Sequence, residues 1–302
     1  MVNWRPPRCL PAAWTAADLR LAADGGADRL ASFPRDAAAA ATSPLSPSTS
    51  IPLPPPHRVV GDLDSITPLE RERLERSAAA AGGSGGGCVV VDAASDQDST
   101  DLEKCLRQVA AWGAGEGGVQ GTGEGSMGPS SAGRGHPVGP VDVVVLGAFG
   151  GRLDHQLAHL AAARRALESS PTSTTGTGEG APLHVTLAGD GNVAWVLGPG
   201  ATHRIRVRLG DGEGPFCGIL PLGDDATVSA SGLRWPLDGT TLSWRPGGVL
   251  STSNVVVAQG GLGGSGAAAD EEGIVELTTS APVVFTVTWS GADYATGGGE
   301  GG

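Results

Sequence analysis

The chain has 302 residues, enough for two domains or one large one, and it contains 50 Gly but only 4% aromatic residues. Its formal net charge of −12 argues against nucleic acid as a partner, because that affinity comes from Lys and Arg on phosphates. A nucleotide stays compatible with this charge if a metal ion offsets it. Scattered cysteines, no apolar run near the roughly 18 residues of a membrane span, and no signal-peptide-like start together predict a cytoplasmic protein.

Short apolar runs that end in polar turns recur through the first half of the sequence. They cover residues 19–23, 58–60, 88–91 and 141–148. A helix with a continuous apolar face follows the third run, and Thr100 and Glu103 are spaced as a capping box at its start. A helix with Leu153, Leu157 and Leu160 on one side follows the fourth run. Strand, turn and helix in repetition predict an α/β domain with a mostly parallel, Rossmann-like sheet and flanking helices over residues 1–168.

The second half has a different pattern. From about residue 183 the apolar runs are short, rich in β-branched residues and separated by turns, without a helical period. This predicts an all-β domain, a sandwich of the jelly-roll kind, over residues 182–294. Glycine-rich and otherwise apolar-poor stretches predict mobile loops and a disordered tail. They are residues 36–56, 113–140, 169–181, 258–273 and 295–302.

Acidic residues follow each of the four predicted strands. They are Asp24; Asp62 and Asp64; Asp96, Asp98 and Asp101; and Asp154, which stands beside Gly150, Gly151 and Arg152. Because the carboxyl ends of parallel strands share one edge of a sheet, these turns should converge there. Carboxylates so close together repel one another, and a hard cation such as Mg²⁺ removes that conflict. Glycines and helix N-termini at the same edge favour phosphate. The pattern therefore predicts a site for Mg²⁺ and a polyphosphate.

Simpler interpretations apply to single turns. An Asp-Gly turn after one strand is usually only a turn, so the prediction depends on the convergence of several. A calcium loop of the EF-hand kind is excluded for DQDSTD, because its sixth position is Asp101 and its twelfth is Arg107. Lys104 is the only lysine in the chain. It is either a phosphate ligand or an exposed helical partner of Asp101.

Six segments resemble the thiamine pyrophosphokinase family, in that family's order. They are ADGGADRL (23–30), VVGDLDSI (59–66), DQDSTDLEKCL (96–106), GGRLDHQ (150–156), GLRWPL (232–237) and VLSTSN (249–254). The resemblance implies transfer of the pyrophosphoryl group of ATP to the hydroxyl of thiamine, which leaves AMP. It also implies a homodimer, in which thiamine lies between the α/β part of one subunit and the β domain of its partner.

The resemblance also implies roles for individual residues. Catalytic roles fall to Asp62, Asp64, Asp98, Asp101 and Lys104, and Mg²⁺ ligation to Asp62, Asp64 and Asp101. The ATP pocket would contain Asp24, Gly25, Gly26, Gln97, Ser99, Thr100, Arg152 and Asp154. Thiamine would meet Trp235, Ser251, Ser253 and Asn254. A carboxylate, Asp64 or Asp101, would serve as the base for the thiamine hydroxyl. Trp235 either stacks on thiamine or is a core residue.

The sequence departs from the family at two points. The family usually has Asn where Asp28 stands, and it has an apolar strand ahead of the segment that begins this sequence. The second departure predicts a sheet position that is empty or filled differently. Two other functions remain open. GDLDSI also resembles the first motif of haloacid-dehalogenase-type phosphatases, and the chain could be a thiamine- or nucleotide-binding protein without catalysis.

Overall fold

The computed structural model describes residues 6–40, 53–80, 88–115, 139–170, 180–259 and 271–292. The helices of this part are α1 (Leu10–Ala16), α2 (Gly26–Ala40), α3 (Pro68–Ala80), α4 (Asp101–Gly113) and α5 (Leu153–Glu168). The first strands are β1 (Leu21–Ala23), β2 (Arg58–Gly61), β3 (Val89–Asp92), β4 (Val141–Leu146), β5 (Leu183–Gly189), β6 (Asn192–Leu197) and β7 (His203–Arg208). They are followed by β8 (Glu213–Pro221), β9 (Ala226–Ser231), β10 (Leu237–Leu242), β11 (Ser251–Val255), β12 (Glu272–Thr279) and β13 (Val283–Trp289).

The parallel part of the fold is divided between two sheets. Strands β1, β2 and β3 form a three-stranded parallel sheet in that order. Strand β4 does not join it. It pairs in parallel with β5 along its whole length, from Val141 opposite Leu183 to Leu146 opposite Ala188. The fold is therefore mixed α/β with several sheets, and the expectation of one mostly parallel sheet in the first half was wrong for β4. An apolar strand can pair on either side, and its sequence does not specify the neighbour.

A cavity of about 580 Å³ separates β1 from β4. Its wall is largely apolar and includes Leu21 of β1, Leu106 of α4 and Val143 of β4. Each of the two strands has one paired neighbour strand in the described part of the chain. The expectation of a sheet position that is empty or filled differently stays a prediction.

Two largely antiparallel sheets make up the second half. One has the order β10-β9-β12-β7, and the other, β11-β8-β13-β6-β5-β4, is antiparallel except at its β5–β4 edge. Residues of both sheets, among them Val228, Leu277, Ile219 and Phe285, are fully or almost fully buried in one apolar cluster. The β-rich character of this half agrees with the period-2 pattern of its sequence. The jelly-roll connectivity and the domain boundaries stay predictions.

The helices show where a sequence pattern is sufficient and where it is not. Thr100 and Glu103 form the capping box predicted for α4, and Leu102, Cys105, Leu106 and Val109 form its buried face. Helix α5 differs, because Leu153 and Leu157 are 68% and 57% exposed and its buried residues are small alanines further along. A helical period identifies a stripe but not whether another element covers it. None of the described helices is long and apolar enough to span a membrane.

The loop predictions are tested only in part. Helix α2 continues through residues 36–40, which the composition had indicated as loop. Residues 41–52, most of 113–140 and the tail 295–302 lie outside the described part of the chain.

Candidate active site

Three carboxylates gather where β1 and β2 end. Asp24 follows β1, and Asp62 and Asp64 follow β2. One oxygen from each side chain lies within 4.8 Å of the others. The reason is topological, because β1 and β2 are parallel neighbours and their carboxyl ends lie side by side.

The backbone at this edge adopts conformations that most residues avoid. Asp24 and Leu63 have positive φ angles of 39° and 63°. Leu63 is nevertheless buried, so its apolar side chain holds the loop while the carboxylates of its two neighbours stay at the surface of the site. Gly61 leaves room for the cluster, since a Cβ atom there would lie 2.7 Å from the Cβ of Asp24. The GDLDS sequence therefore specifies a tight loop that concentrates negative charge.

Asp24 is the buried member of the cluster, at 3% exposure. Its Oδ2 accepts a hydrogen bond from the backbone N–H of Ser65 at 3.1 Å. Its Oδ1 is sealed from solvent and has no hydrogen-bond partner. Burial raises the pKa of Asp24 above its ordinary value, and the carboxylates of Asp101 and Asp62 add to the effect. A buried, unpaired carboxylate oxygen is costly, and a bound cation would satisfy it.

Helix α4 adds one acid and the only lysine to the same site. The Nζ of Lys104 lies 3.3 Å from Oδ1 of Asp101, one turn away on the helix. Lys104 is only 6% exposed, so it is not a surface partner of Asp101. Burial raises the pKa of Asp101, while the Lys104 ammonium opposes that shift. The Thr100 cap fixes the N-terminus of α4 here, and that end of a helix favours anions.

These groups line a cleft of about 290 Å³. Eight of its lining residues were predicted as site residues: Asp24, Gly25, Asp62, Gln97, Ser99, Thr100, Asp101 and Lys104. The remaining polar residues of the wall are Ser65, Asp96, His155 and His159. Asp64 is exposed and belongs to the carboxylate cluster beside the cleft. Its Oδ1 accepts a hydrogen bond from the hydroxyl of Ser65 at 2.9 Å.

Other predicted site residues lie outside the lining of the cleft. Asp98 lines a groove between α4 and α5, and Gly26 begins α2. Arg152 and Asp154 form an exposed ion pair with each other at the start of α5. The hydrogen bonds from Arg152 lower the pKa of Asp154. The sequence predicted that four acidic turns meet at one edge of the sheet. Acidic residues from three of these turns line the cleft or belong to the carboxylate cluster beside it.

Sequence reasoning missed several members of the cleft. Ser65 stands in the DLDS turn, where its small size and free N–H allow it to bond Asp24. Asp96 was expected at this edge but without an individual role. It accepts from the N–H of Ser99 and pairs with Arg107, so it orders the turn before α4. His155 lies within the GGRLDHQ segment, but the sequence does not show that this residue lines the cleft. His159 belongs to none of the six segments that resemble the family.

The four residues assigned to thiamine lie on the β half. Trp235 is 53% exposed, which excludes a core role, and the guanidinium of Arg234 lies 5.0 Å from its ring centroid. Asn254 is buried, and its amide accepts from the Trp235 N–H at 3.2 Å and donates to the Trp235 carbonyl at 2.7 Å. Asn254 therefore positions the tryptophan. Ser251 is half-buried and Ser253 exposed on the same strand. The wall of the acidic cleft contains none of these four.

Comparison with known protein families agrees with both halves of the structure. Residues 10–173 match the family model of the thiamin pyrophosphokinase catalytic domain. Residues 202–261 match the model of the thiamin pyrophosphokinase vitamin B1 binding domain. The first match includes the acidic cluster and α4, and the second includes Trp235 and Asn254.

Curated proteins and solved structures agree with these matches. Thiamine pyrophosphokinase 1 of Oryza sativa subsp. japonica is 28% identical over 293 residues, covering 95% of this chain and 85% of that protein. Thiamine pyrophosphokinase 1 of Arabidopsis thaliana is 29% identical over 262 residues, covering 85% and 78%. The structure of thiamin pyrophosphokinase from Candida albicans has a similar fold, with a TM-score of 0.64 at 16% identity over 96% of this chain and 87% of that one. The chain belongs to the thiamin pyrophosphokinase family.

Proposed function

We propose that the acidic cleft is where this chain transfers the pyrophosphoryl group of ATP to the hydroxyl of thiamine, giving thiamine diphosphate and AMP. One observation carries the assignment of the site. Three carboxylates, one of them sealed with an unpaired oxygen, stand at the N-terminus of α4 beside the only lysine of the chain. So much negative charge with one buried cation suits a site for a metal ion and a polyphosphate.

The donor set fits Mg²⁺. Asp62 and Asp64 would hold it, with Asp24 or Asp101 as a further oxygen ligand. Carboxylate oxygens are hard ligands, and Oδ1 of Asp24 has no other partner. When bound, Mg²⁺ would neutralise charge on the transferring phosphoryl groups. The cation would also oppose the burial and the carboxylate repulsion that raise the pKa of Asp24 and Asp101.

The side chains of the chain itself would bind and orient the reactants. Lys104 would donate to a phosphate oxygen, since its ammonium is already desolvated and held in place by Asp101. The N–H groups at the start of α4 would add to this. Asp64 is the better placed general base, because its carboxylate is exposed while that of Asp101 is bonded to Lys104. Asp64 would take the proton from the thiamine hydroxyl as that oxygen attacks phosphorus.

Thiamine would bind between two subunits of a homodimer. The support is that Trp235 and Asn254 belong to the β half, whereas the wall of the acidic cleft comes from residues up to His159. The β half also exposes large apolar side chains, including Phe216, Trp244 and Val249. Phe and Trp side chains are enriched in protein–protein interfaces relative to the rest of a protein surface. Trp235 would offer one face of its indole ring to the thiamine cation. The guanidinium of Arg234 lies over the ring and would occupy its other face.

The shared site can be tested by mixing two impaired variants at a thiamine concentration well below the KM. There Asp64→Asn lowers turnover in the acidic cleft, and Trp235→Ala lowers thiamine binding. After subunit exchange, half of the dimers would carry both changes on different subunits, and one of their two sites would be intact. The activity of the mixture should exceed the mean of the two separate variants and reach about a quarter of the wild-type value or more. A mixture with only the mean activity of its two components would overturn the shared site, as would a monomer by light scattering.

The reaction itself is tested by incubating the chain with ATP, Mg²⁺ and thiamine and separating the products by chromatography. Thiamine diphosphate and AMP in equal amounts are expected. Phosphate release from simple monoesters without thiamine would instead support the phosphatase hypothesis, which the second family match does not favour. Nucleotide binding without AMP would support a non-catalytic protein. Residence in the cytoplasm stays a prediction.

A further inference from the structure

His159 on α5 presents a hydrogen-bond acceptor to the cleft. Its Nδ1 lies 2.7 Å from the carbonyl oxygen of Ala148, and a carbonyl can only accept, so Nδ1 carries the hydrogen. Burial lowers the pKa of His159, the hydrogen bond to Ala148 opposes that shift, and His155 adds to it, so the net shift is downward and the ring is neutral near pH 7. A neutral imidazole with its proton on Nδ1 has a lone pair on Nε2.

That lone pair has no protein partner in the described part of the chain. Among the described residues, the ring forms a hydrogen bond only to Ala148, and Nε2 is not among the buried atoms without a partner. His159 lines the cleft together with Ala158 and His155 of the same helix. Nε2 is thus available to a donor group of whatever fills the cleft.

The position of α5 indicates which end of a ligand His159 would meet. Helix α4 contacts β1 and β2, which carry the acidic cluster at their ends, and it also contacts α5, which carries His159. The cleft therefore runs from the acidic cluster, across the N-terminus of α4, to His159. A ligand whose phosphates lie at the cluster and Lys104 extends its other end toward α5. Phosphate oxygens are themselves acceptors and would repel the Nε2 lone pair, so His159 suits a hydroxyl or an amino group.

We infer that His159 binds the nucleoside of the nucleotide substrate, by accepting a hydrogen bond at Nε2 from a ribose hydroxyl or from the amino group of the base. The inference rests on the proposed function, and it assigns His159 to nucleotide specificity.

The test compares wild type with His159→Phe, which keeps a ring of similar size without the acceptor. Calorimetry measures the binding of Mg²⁺–ATP and of three analogues lacking the 2′-hydroxyl, the 3′-hydroxyl or the base amino group. Wild type should bind one analogue about 5- to 10-fold more weakly than ATP, as expected for one neutral hydrogen bond. H159F should bind ATP more weakly by the same factor and should bind that analogue no more weakly than wild type does.

Three controls keep the result decisive. His159→Gln retains an acceptor and should keep most of the preference. His159→Leu is a second acceptor-free variant in case H159F does not fold. His184→Phe, on the exposed face of β5, should bind all four nucleotides as wild type does.

The outcomes separate the two proposals. Failure of wild type to bind Mg²⁺–ATP would overturn the proposed function and this inference together. If wild type binds Mg²⁺–ATP but H159F binds ATP and all three analogues more weakly than wild type by the same factor, the inference alone would be overturned. A change in KM for thiamine, with nucleotide preference unaltered, would also overturn it.

Discussion

The acidic cleft and the Trp235 region are built on opposite principles. In the cleft, Asp24 and Lys104 are buried although both are ionisable, and Asp24 keeps an unpaired oxygen. At Trp235 the exposed group is apolar, and the buried polar group, Asn254, is satisfied by the tryptophan backbone. The buried ionisable groups of the first region are energetically unfavourable until a ligand binds. The buried polar group of the second region has its hydrogen bonds satisfied without a ligand. Changes in the cleft should therefore affect turnover most, and changes near Trp235 should affect binding of one substrate.

The largest effect is expected from Asp64→Asn. It removes a ligand for Mg²⁺ and the proposed base while it leaves the buried loop residues in place. The rate of AMP formation should fall about 100- to 1,000-fold, with circular dichroism unchanged. Asp238→Asn, at an exposed position of β10, is the matched control and should be fully active. An active Asp64→Asn enzyme would refute both roles of this residue.

Lys104→Arg should have a large effect on ATP and a small one on thiamine. The site around Lys104 is closed, and a planar guanidinium cannot replace a compact ammonium beside Asp101. We expect the KM for ATP to rise about 10-fold or more, measured by steady-state kinetics with both substrates varied. Unchanged kinetics would show that the single lysine has only a structural role.

Trp235→Ala tests the other half of the comparison. A cation–π contact contributes about 0.5–2 kcal/mol, so the KM for thiamine should rise about 2- to 30-fold while the KM for ATP stays constant. Asn254→Ala should reproduce part of this effect, because Asn254 holds the backbone of Trp235 in place. Equal effects on both substrates would contradict the separation of the two regions.

The smallest effect is expected on stability, from Asp24→Asn. The raised pKa of Asp24 means that the folded state binds a proton more tightly than the unfolded state. The free energy of unfolding therefore falls as the pH rises from the ordinary aspartate range to the raised value, and the deficit persists above it.

Without Mg²⁺, Asp24→Asn should accordingly melt a few degrees above wild type at neutral pH, at about 2–4 °C for each kcal/mol. The difference should shrink near pH 4, where aspartates protonate, and Mg²⁺ should also reduce it by stabilising wild type. Thermal unfolding with EDTA or with Mg²⁺ at both pH values measures this. A variant less stable than wild type at neutral pH without metal would contradict the unfavourable burial of Asp24.

What the sequence determined by itself is local. The Thr100 capping box, the apolar face of α4, the four parallel-strand segments and the acidic turns after them all follow from spacing and side-chain chemistry over a few residues. The convergence of Asp24 with Asp62 could also be anticipated, because adjacent parallel strands end at one edge.

Tertiary structure decided what depends on partners distant in sequence. It paired β4 with β5 rather than with β1, and it left Leu153 and Leu157 of α5 exposed. It also placed Asp98 in the wall of a groove outside the cleft. It also set His159 against the Ala148 carbonyl. Periodicity shows that a residue can be buried or can bind, but packing between elements far apart in the chain decides which side chains meet a ligand.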